Sequence, residues 1–247
     1  MQSGGRVQCW GGNSDGALGT GDTNNVCSPT EAFVMTDAVS VTAGFSVTCA
    51  IAPGGDLFCW GNNGYGLLGR DELFSISSPP SVPVNISAPV AGIYVASTHA
   101  CAVTAAGSVK CWGFNSHGQL GLASLAIGAY ALSPGTDVPV GSLVSALALG
   151  WYHTCAIVVP SGGIRCWGDN TQFQLGYGDD RSRLVPSVIN IPMQGVAVQI
   201  SAGSFTTCAI LTTGTLTCWG ANAYGMVPFA WLVPGACGRG VPKVWTH

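Results

Sequence analysis

Eleven cysteines are the residues of this chain best equipped for chemistry. Eight of them fall into pairs with nine or ten residues between partners: Cys49 and Cys59, Cys101 and Cys111, Cys155 and Cys166, Cys208 and Cys218. Zinc sites use tighter Cys-x-x-Cys spacings completed by a second such pair or by histidines. Neither is present, so the pattern argues against a metal centre, and no cofactor is implied. The chemistry these pairs suit is oxidation to disulfides, which places the chain in an oxidising compartment. The alternative is a set of reduced core cysteines, each packed as a small hydrophobe. Cys9, Cys27 and Cys237 are left over, with Cys237 and Cys27 as rival partners for Cys9. One glycosylation sequon, Asn85-Ile86-Ser87, is compatible with secretion.

Acid–base and nucleophilic sets are harder to assemble. There is no Gly-x-Ser-x-Gly elbow, and the four histidines are His99, His117, His153 and His247. His99 and His153 stand two residues before a paired cysteine, where the other copies of the motif have Val47 and Thr206. A position that accepts Val, Thr and His reads as structural. Asp22, Asp71 and Asp179 recur just after a Leu-Gly step and read as turn residues. With no paired acids in distinct settings there is no general acid–base case, and the chain is expected not to be an enzyme.

The elements that must hold these residues repeat along the chain. Cys-Trp-Gly occurs five times, beginning at Cys9, Cys59, Cys111, Cys166 and Cys218, at spacings of 50, 52, 55 and 52. Asn13, Asn63, Asn115, Asn170 and Asn222 follow each glycine by two residues; buried turn asparagines of this kind bond local backbone. Between paired cysteines lie turn residues such as Pro53-Gly54-Gly55, so each pair reads as a β-hairpin. Folding there sets Cys49 against Cys59 and Ile51 against Leu57, and likewise in the later copies. Residues two apart share a face, so each hairpin carries a cysteine pair beside an apolar pair. Directly opposed residues lie close enough for a disulfide. The other face carries Ala50, Ala102, Ala156 and Ala209 with Trp10, Trp60, Trp112, Trp167 and Trp219. Sheets apolar on both faces need cover on both sides, which a radial stack of small sheets supplies.

Composition agrees. In 247 residues, 47% are hydrophobic, 8% are charged and 36 are glycine, which fits many short buried strands and excludes disorder. Net charge is −3, and Arg181-Ser182-Arg183 is the one close basic cluster, so nucleic-acid binding is not expected. No apolar run reaches the length of a membrane span.

Each period reads as about four short strands, one propeller blade. After Cys-Trp-Gly-x-Asn come a glycine-rich turn, usually Leu-Gly, a polar linker and an alternating strand such as 39–44. The linker 122–142 is longer and reads as an insertion on one rim. The fifth copy departs from the pattern at Met226-Val227-Pro228, and the tail from Ala236 faintly echoes the motif. The organisation expected is one propeller domain over 1–247, with repeat marks at 9–22, 49–71, 101–122, 155–180 and 208–225 and an atypical tail at 226–247. The chain begins mid-hairpin with no secretory signal, which reads as a fragment. The variable turn tips Asp15, Tyr65, His117, Gln172 and Tyr224 are the binding candidates, because loops carry function on rigid scaffolds.

The runs Gly150-Trp151-Tyr152-His153-Thr154-Cys155-Ala156-Ile157, Gly163 to Asn170 and Gln174-Leu175-Gly176 resemble the repeat of the regulator of chromosome condensation family, as does Gly107 to Gly121. The resemblance covers roughly residues 5–225. It implies an all-β propeller with one repeat per blade, here about five blades and so incomplete or open against the family's usual seven. The paired cysteines resemble the secreted or cell-surface branch. Members range from an exchange factor for the GTPase Ran to a secreted β-lactamase inhibitor, so fold does not give function. The reading is a non-enzymatic, extracellular or cell-surface scaffold, monomeric, binding an unidentified protein partner. The alternative is an intracellular guanine-nucleotide exchange factor or chromatin-associated regulator of the same family, in cytoplasm or nucleus.

Overall fold

The computed structural model describes residues 5–32, 37–73, 76–77 and 82–222. Within them every regular element is a β-strand, and the strands form five separate antiparallel sheets that follow the sequence repeat. The first holds β1 (Gln8–Gly11) and β2 (Val26–Glu31). The second is the meander β3 (Ser40–Ala43), β4 (Val47–Ile51), β5 (Leu57–Asn62) and β6 (Ile76–Ser77). The third repeats it with β7 (Val90–Val95), β8 (His99–Thr104), β9 (Val109–Phe114) and β10 (Tyr130–Ala131). The fourth has β11 (Leu143–Leu149), β12 (His153–Val159) and β13 (Gly163–Gly168), and the fifth β14 (Ala197–Ala202), β15 (Thr206–Leu211) and β16 (Leu216–Gly220). Strands β3, β7, β11 and β14 lie side by side along the inside of the arc. These are propeller blades, roughly five of them, with no sheet closing on itself.

The hairpin registers follow from the central turns. Cys49 faces Cys59 and Ile51 faces Leu57; Cys101 faces Cys111, Cys155 faces Cys166 and Cys208 faces Cys218. All four pairs are bonded as disulfides. In the second, third and fourth blades the cysteine face packs on the successor. Cys49, Ile51, Leu57 and Cys59 share a core with Val90, Ile93, Ala102 and Trp112 of the next copy. Each such fully buried Leu or Ile contributes about 1.5–3 kcal/mol by leaving water.

The tryptophan face packs on the predecessor, through one repeated hydrogen bond. Trp60 Nε1 donates to Ala17 O, Trp112 Nε1 to Leu67 O, Trp167 Nε1 to Gln119 O and Trp219 Nε1 to Gln174 O, each at 2.9 Å. The acceptor is always the residue before Leu-Gly of the preceding copy. This explains the glycine: Gly19 has φ +69°, and a Cβ there would lie 2.7 Å from Trp60 Nε1. Trp10 departs from the expectation of a covered tryptophan, being 59% exposed. Its four counterparts are covered by the Leu-Gly turn of the copy before, and among the described residues no such turn lies against Trp10.

Two further expectations are revised. The linker 122–142 is more than a rim insertion: its middle forms β10, which completes the third sheet against Phe114 and Gly113. Cys27 does not face Cys9 across the first sheet. Cys9 pairs with Thr30, and both cysteines are free thiols. Burial raises the Cys9 thiol pKa. Cys237, the other candidate partner, lies outside the described residues, as does the tail echo.

Candidate functional site: a rim of turn tips and aromatic loops

Antiparallel register decides which loops share a rim. In the third blade His99 opens β8 opposite Gly113 near the end of β9, so the β7–β8 loop and the turn after Phe114 sit together. The hairpin turns 53–55, 105–107, 160–162 and 213–214 lie at the opposite rim. The turn tips therefore share their rim with the loops that lead into the second strand of each blade.

The repeated asparagine builds each tip. Asn13 Oδ1 accepts from Leu18 N at 2.9 Å and its amide donates to Asp22 O at 2.9 Å. Asn63 and Asn170 repeat this with Leu68 and Glu72, and with Leu175 and Asp179. Asn115 binds Leu120 N and donates toward Leu125 O in the longer third turn. In the third and fourth copies the glutamine before Leu-Gly adds a clamp: Gln119 Oε1 accepts from His117 N and Gln174 Oε1 from Gln172 N, both at 2.8 Å.

Three of the tips so held reach the next blade. Asp15 accepts from Asn62 Nδ2 at 2.9 Å. The Tyr65 ring stacks on Phe114 at 5.8 Å, and Phe114 meets Tyr130 at 4.8 Å. The His117 ring lies 4.5 Å from Tyr152. Gln172 is exposed at the fourth tip, and Tyr224 lies outside the described residues. Asp15, Tyr65, His117 and Gln172 thus stand on one rim without converging on one point.

The sequence reading missed what stands beside them. Trp151 packs on Phe205 at 5.4 Å, and Tyr152 lies 6.4 Å from both Trp151 and Phe205. Phe45, from the corresponding loop of the second blade, is 88% exposed, and Trp151 is 45% exposed. These loops surround a depression of about 300 Å3 at the inner edge of the arc, lined by Gly44, Phe45, Val95, Leu149, Trp151 and Ala202. The surface is aromatic and nearly free of formal charge. It can shed water from large rigid rings, as protein-binding surfaces do.

The remaining candidates are tied into the framework. Buried His99 places Nε2 2.8 Å from Thr154 Oγ1, and buried His153 places Nε2 2.8 Å from Thr207 Oγ1. Both threonine hydroxyls donate onward, to Gln119 O and Gln174 O. Each must therefore accept from an Nε2–H, so Nε2 carries a proton in both imidazoles. Burial pushes the His99 pKa down to about 3, helped by nearby His153; burial pushes His153 down to about 4, partly opposed by Asp169. Asp169 itself is enclosed by Thr171, Gln174 and Ser182. The basic cluster is also engaged, with Arg183 paired to Asp179 at 3.1 Å and lying over the Tyr177 ring. Among the described residues no group of three His, Cys, Asp or Glu side chains converges as a metal site. No helix there is long and apolar enough to cross a membrane.

The repeat geometry agrees with comparison to known sequences. One profile of the regulator of chromosome condensation (RCC1) repeat matches residues 4–51, 54–103 and 161–210, more than half of the chain, and a second matches 38–67, 96–119, 144–174 and 197–225. The chain belongs to the RCC1 repeat family. Among its RCC1-repeat relatives, the ultraviolet-B receptor UVR8 of Arabidopsis thaliana is 29% identical over 281 aligned positions, covering 92% of this chain and 63% of the receptor. The probable E3 ubiquitin-protein ligase HERC6 of Homo sapiens is 31% identical, covering 87% of this chain and 22% of the ligase. The chain thus spans less than two thirds of either relative. Yeast RCC1 (Prp20), solved bound to Kap60, superposes with a TM-score of 0.74 at 21% identity, covering 91% of this chain and 55% of that one. Human WBSCR16 gives 0.70 at 23% identity, covering 83% and 52%. At these identities the structural likeness establishes the RCC1 propeller fold.

Proposed function

We propose that this RCC1-repeat chain is a non-enzymatic scaffold that binds a protein partner on the rim carrying Asp15, Tyr65, His117, Gln172 and Trp151. The observation that supports the reading is the cluster of Trp151, Tyr152 and Phe205 beside this depression, on the same rim as the variable tips. Large aromatic side chains dominate the energetics of protein interfaces. The four disulfides support an oxidising, extracellular or cell-surface setting. Tyr224 belongs to the same set of tips by its place in the repeat.

A second reading is an intracellular exchange factor or chromatin-associated regulator. It rests on the likeness to yeast Prp20p, a protein described with binding properties to Gsp1p and histones. The disulfides and the low surface charge weigh against it.

The test is affinity capture with the oxidised protein, followed by Tyr65→Ala, His117→Ala, Gln172→Ala and Trp151→Ala. Loss of one captured partner on these changes supports the rim. A partner indifferent to all of them moves the site elsewhere, with 122–142 the next segment to alter.

A further inference from the structure

We propose that Asn85 is an N-glycosylation site, and that its glycan stands on the rim opposite the aromatic loops. Asn85-Ile86-Ser87 is the only Asn-x-Ser/Thr triplet in the chain. The fold presents it well. Val84 and Ile86 are buried on either side, while Asn85 and Ser87 are exposed. Two flanking apolar anchors in an extended segment force the residue between them outward.

The same presentation recurs in other copies with a different residue. Val84 N donates to Leu57 O, Val138 N to Val109 O and Ile191 N to Ile164 O, at 2.7, 2.8 and 2.8 Å. The next residue is exposed each time: Asn85, then Pro139, then Pro192. The backbone there is common to three blades, so the asparagine is not needed to build it. In this copy alone the outward position carries an amide, with a hydroxyl two residues on. Ser87 sits at φ +60° and its Oγ donates to Asn85 Oδ1 at 3.3 Å.

The location leaves the proposed partner rim clear. Val90 N donates to Gly55 O at 2.9 Å, so 84–90 brackets the hairpin turn at the far rim of the second blade. A bulky solubilising group there shields that rim and does not touch Phe45, Tyr65 or Trp151.

The donor is a lipid-linked pyrophosphate oligosaccharide. Asn85 Nδ2 forms a bond to C1 of the first sugar, the C1–O bond to the pyrophosphate breaks, the lipid pyrophosphate leaves, and Nδ2 gives up one proton. This rests on the oxidising-compartment reading, since transfer occurs where disulfides form.

The experiment is secretion of the full chain from a eukaryotic host behind a heterologous signal, with intact mass and non-reducing peptide mapping. The expected result is one discrete mass increment, removed by a peptide amidase that leaves Asp at 85 and abolished by both Asn85→Gln and Ser87→Ala. Ser87→Thr retains it. Secreted protein with all four disulfides and an unmodified Asn85 overturns the glycan and spares the compartment. An unmodified chain with reduced cysteines overturns both. An increment that survives Asn85→Gln also overturns the assignment.

Discussion

His153 spans the joint between the fourth and fifth blades to reach Thr207, Nε2 to Oγ1 at 2.8 Å, while its Nδ1 has no hydrogen-bond partner among the described residues. Nδ1 also lies against the backbone of Gly150. A second proton on this ring therefore has nowhere to donate, and His99 repeats the bond to Thr154 one joint earlier at 2.8 Å.

This arrangement fixes the sign of an acid dependence. Both histidines have folded pKa values below the ordinary 6.5, at about 3 for His99 and about 4 for His153. As pH falls below 6.5 the unfolded chain takes up these protons and the folded protein does not. Stability is complete above that pH and is lost between roughly pH 6.5 and the folded values, by about 1.4 kcal/mol per pH unit for each histidine. Urea midpoints measured from pH 7.5 to 4.5 are expected to fall accordingly. His99→Gln/His153→Gln flattens that slope. An unchanged slope would show that other groups carry it.

The Leu-Gly joint makes a graded prediction. Gly176 has φ +78°, and a Cβ there meets Trp219 Nε1 at 2.7 Å; nearby Gly178 has φ +82° with nothing within reach. Gly178→Ala carries only the left-handed backbone penalty of about 1–2 kcal/mol. Gly176→Ala adds overpacking against a buried indole, for about 2–5 kcal/mol in all. Denaturant unfolding of both variants checks the order, and equal losses would remove the indole from the explanation.

Each disulfide closes a loop of 10 or 11 residues. Cross-links that short stabilise by under about 3 kcal/mol each. Removing one pair, for example with Cys101→Ala and Cys111→Ala, is expected to lower the melting temperature while leaving the protein folded. Non-reducing peptide mapping of the native protein is expected to return the four hairpin pairs. Recovery of those eight as free thiols from an oxidising compartment contradicts them.

Trp151 is half exposed, whereas Trp60, Trp112, Trp167 and Trp219 are fully buried. Trp151→Ala is therefore expected to weaken partner binding by tenfold or more, as central aromatic anchors do. Its effect on stability is expected to be smaller than that of truncating a fully buried tryptophan, because nearly half of the side chain is already in water. Isothermal titration beside thermal melts separates the two effects, and a large stability loss with unchanged affinity would refute the assignment.

Periodicity made much of this legible. Turn asparagines recur in all five copies, and hairpin registers and cysteine pairs in four of them, so the repeats support one another. Periodicity is blind to what differs between copies. Phe45, Ser97, Trp151 and Ser204 occupy one repeat position, as do Ser46, Thr98, Tyr152 and Phe205, and the aromatic cluster draws on both. Only the inward curl of the blades brings Trp151 and Phe205 together. The acceptor of each indole was hidden for another reason: it is a backbone carbonyl, and a carbonyl leaves no trace in residue type. The strand within 122–142 escaped because β10 is two residues long and sits in an Ala- and Gly-rich stretch.

The joints are not alike. Ala17, Gln119 and Gln174 carbonyls each take a threonine hydroxyl as well as an indole, from Thr48, Thr154 and Thr207. Between the second and third blades Ala100 replaces the threonine and Val47 replaces the histidine, within one dry core cluster. Among the described residues of that cluster none titrates, while the next two seams each hold a buried imidazole. The array therefore has a direction of failure. Acid is expected to loosen the two histidine seams beyond the third blade before the apolar seam between the second and third.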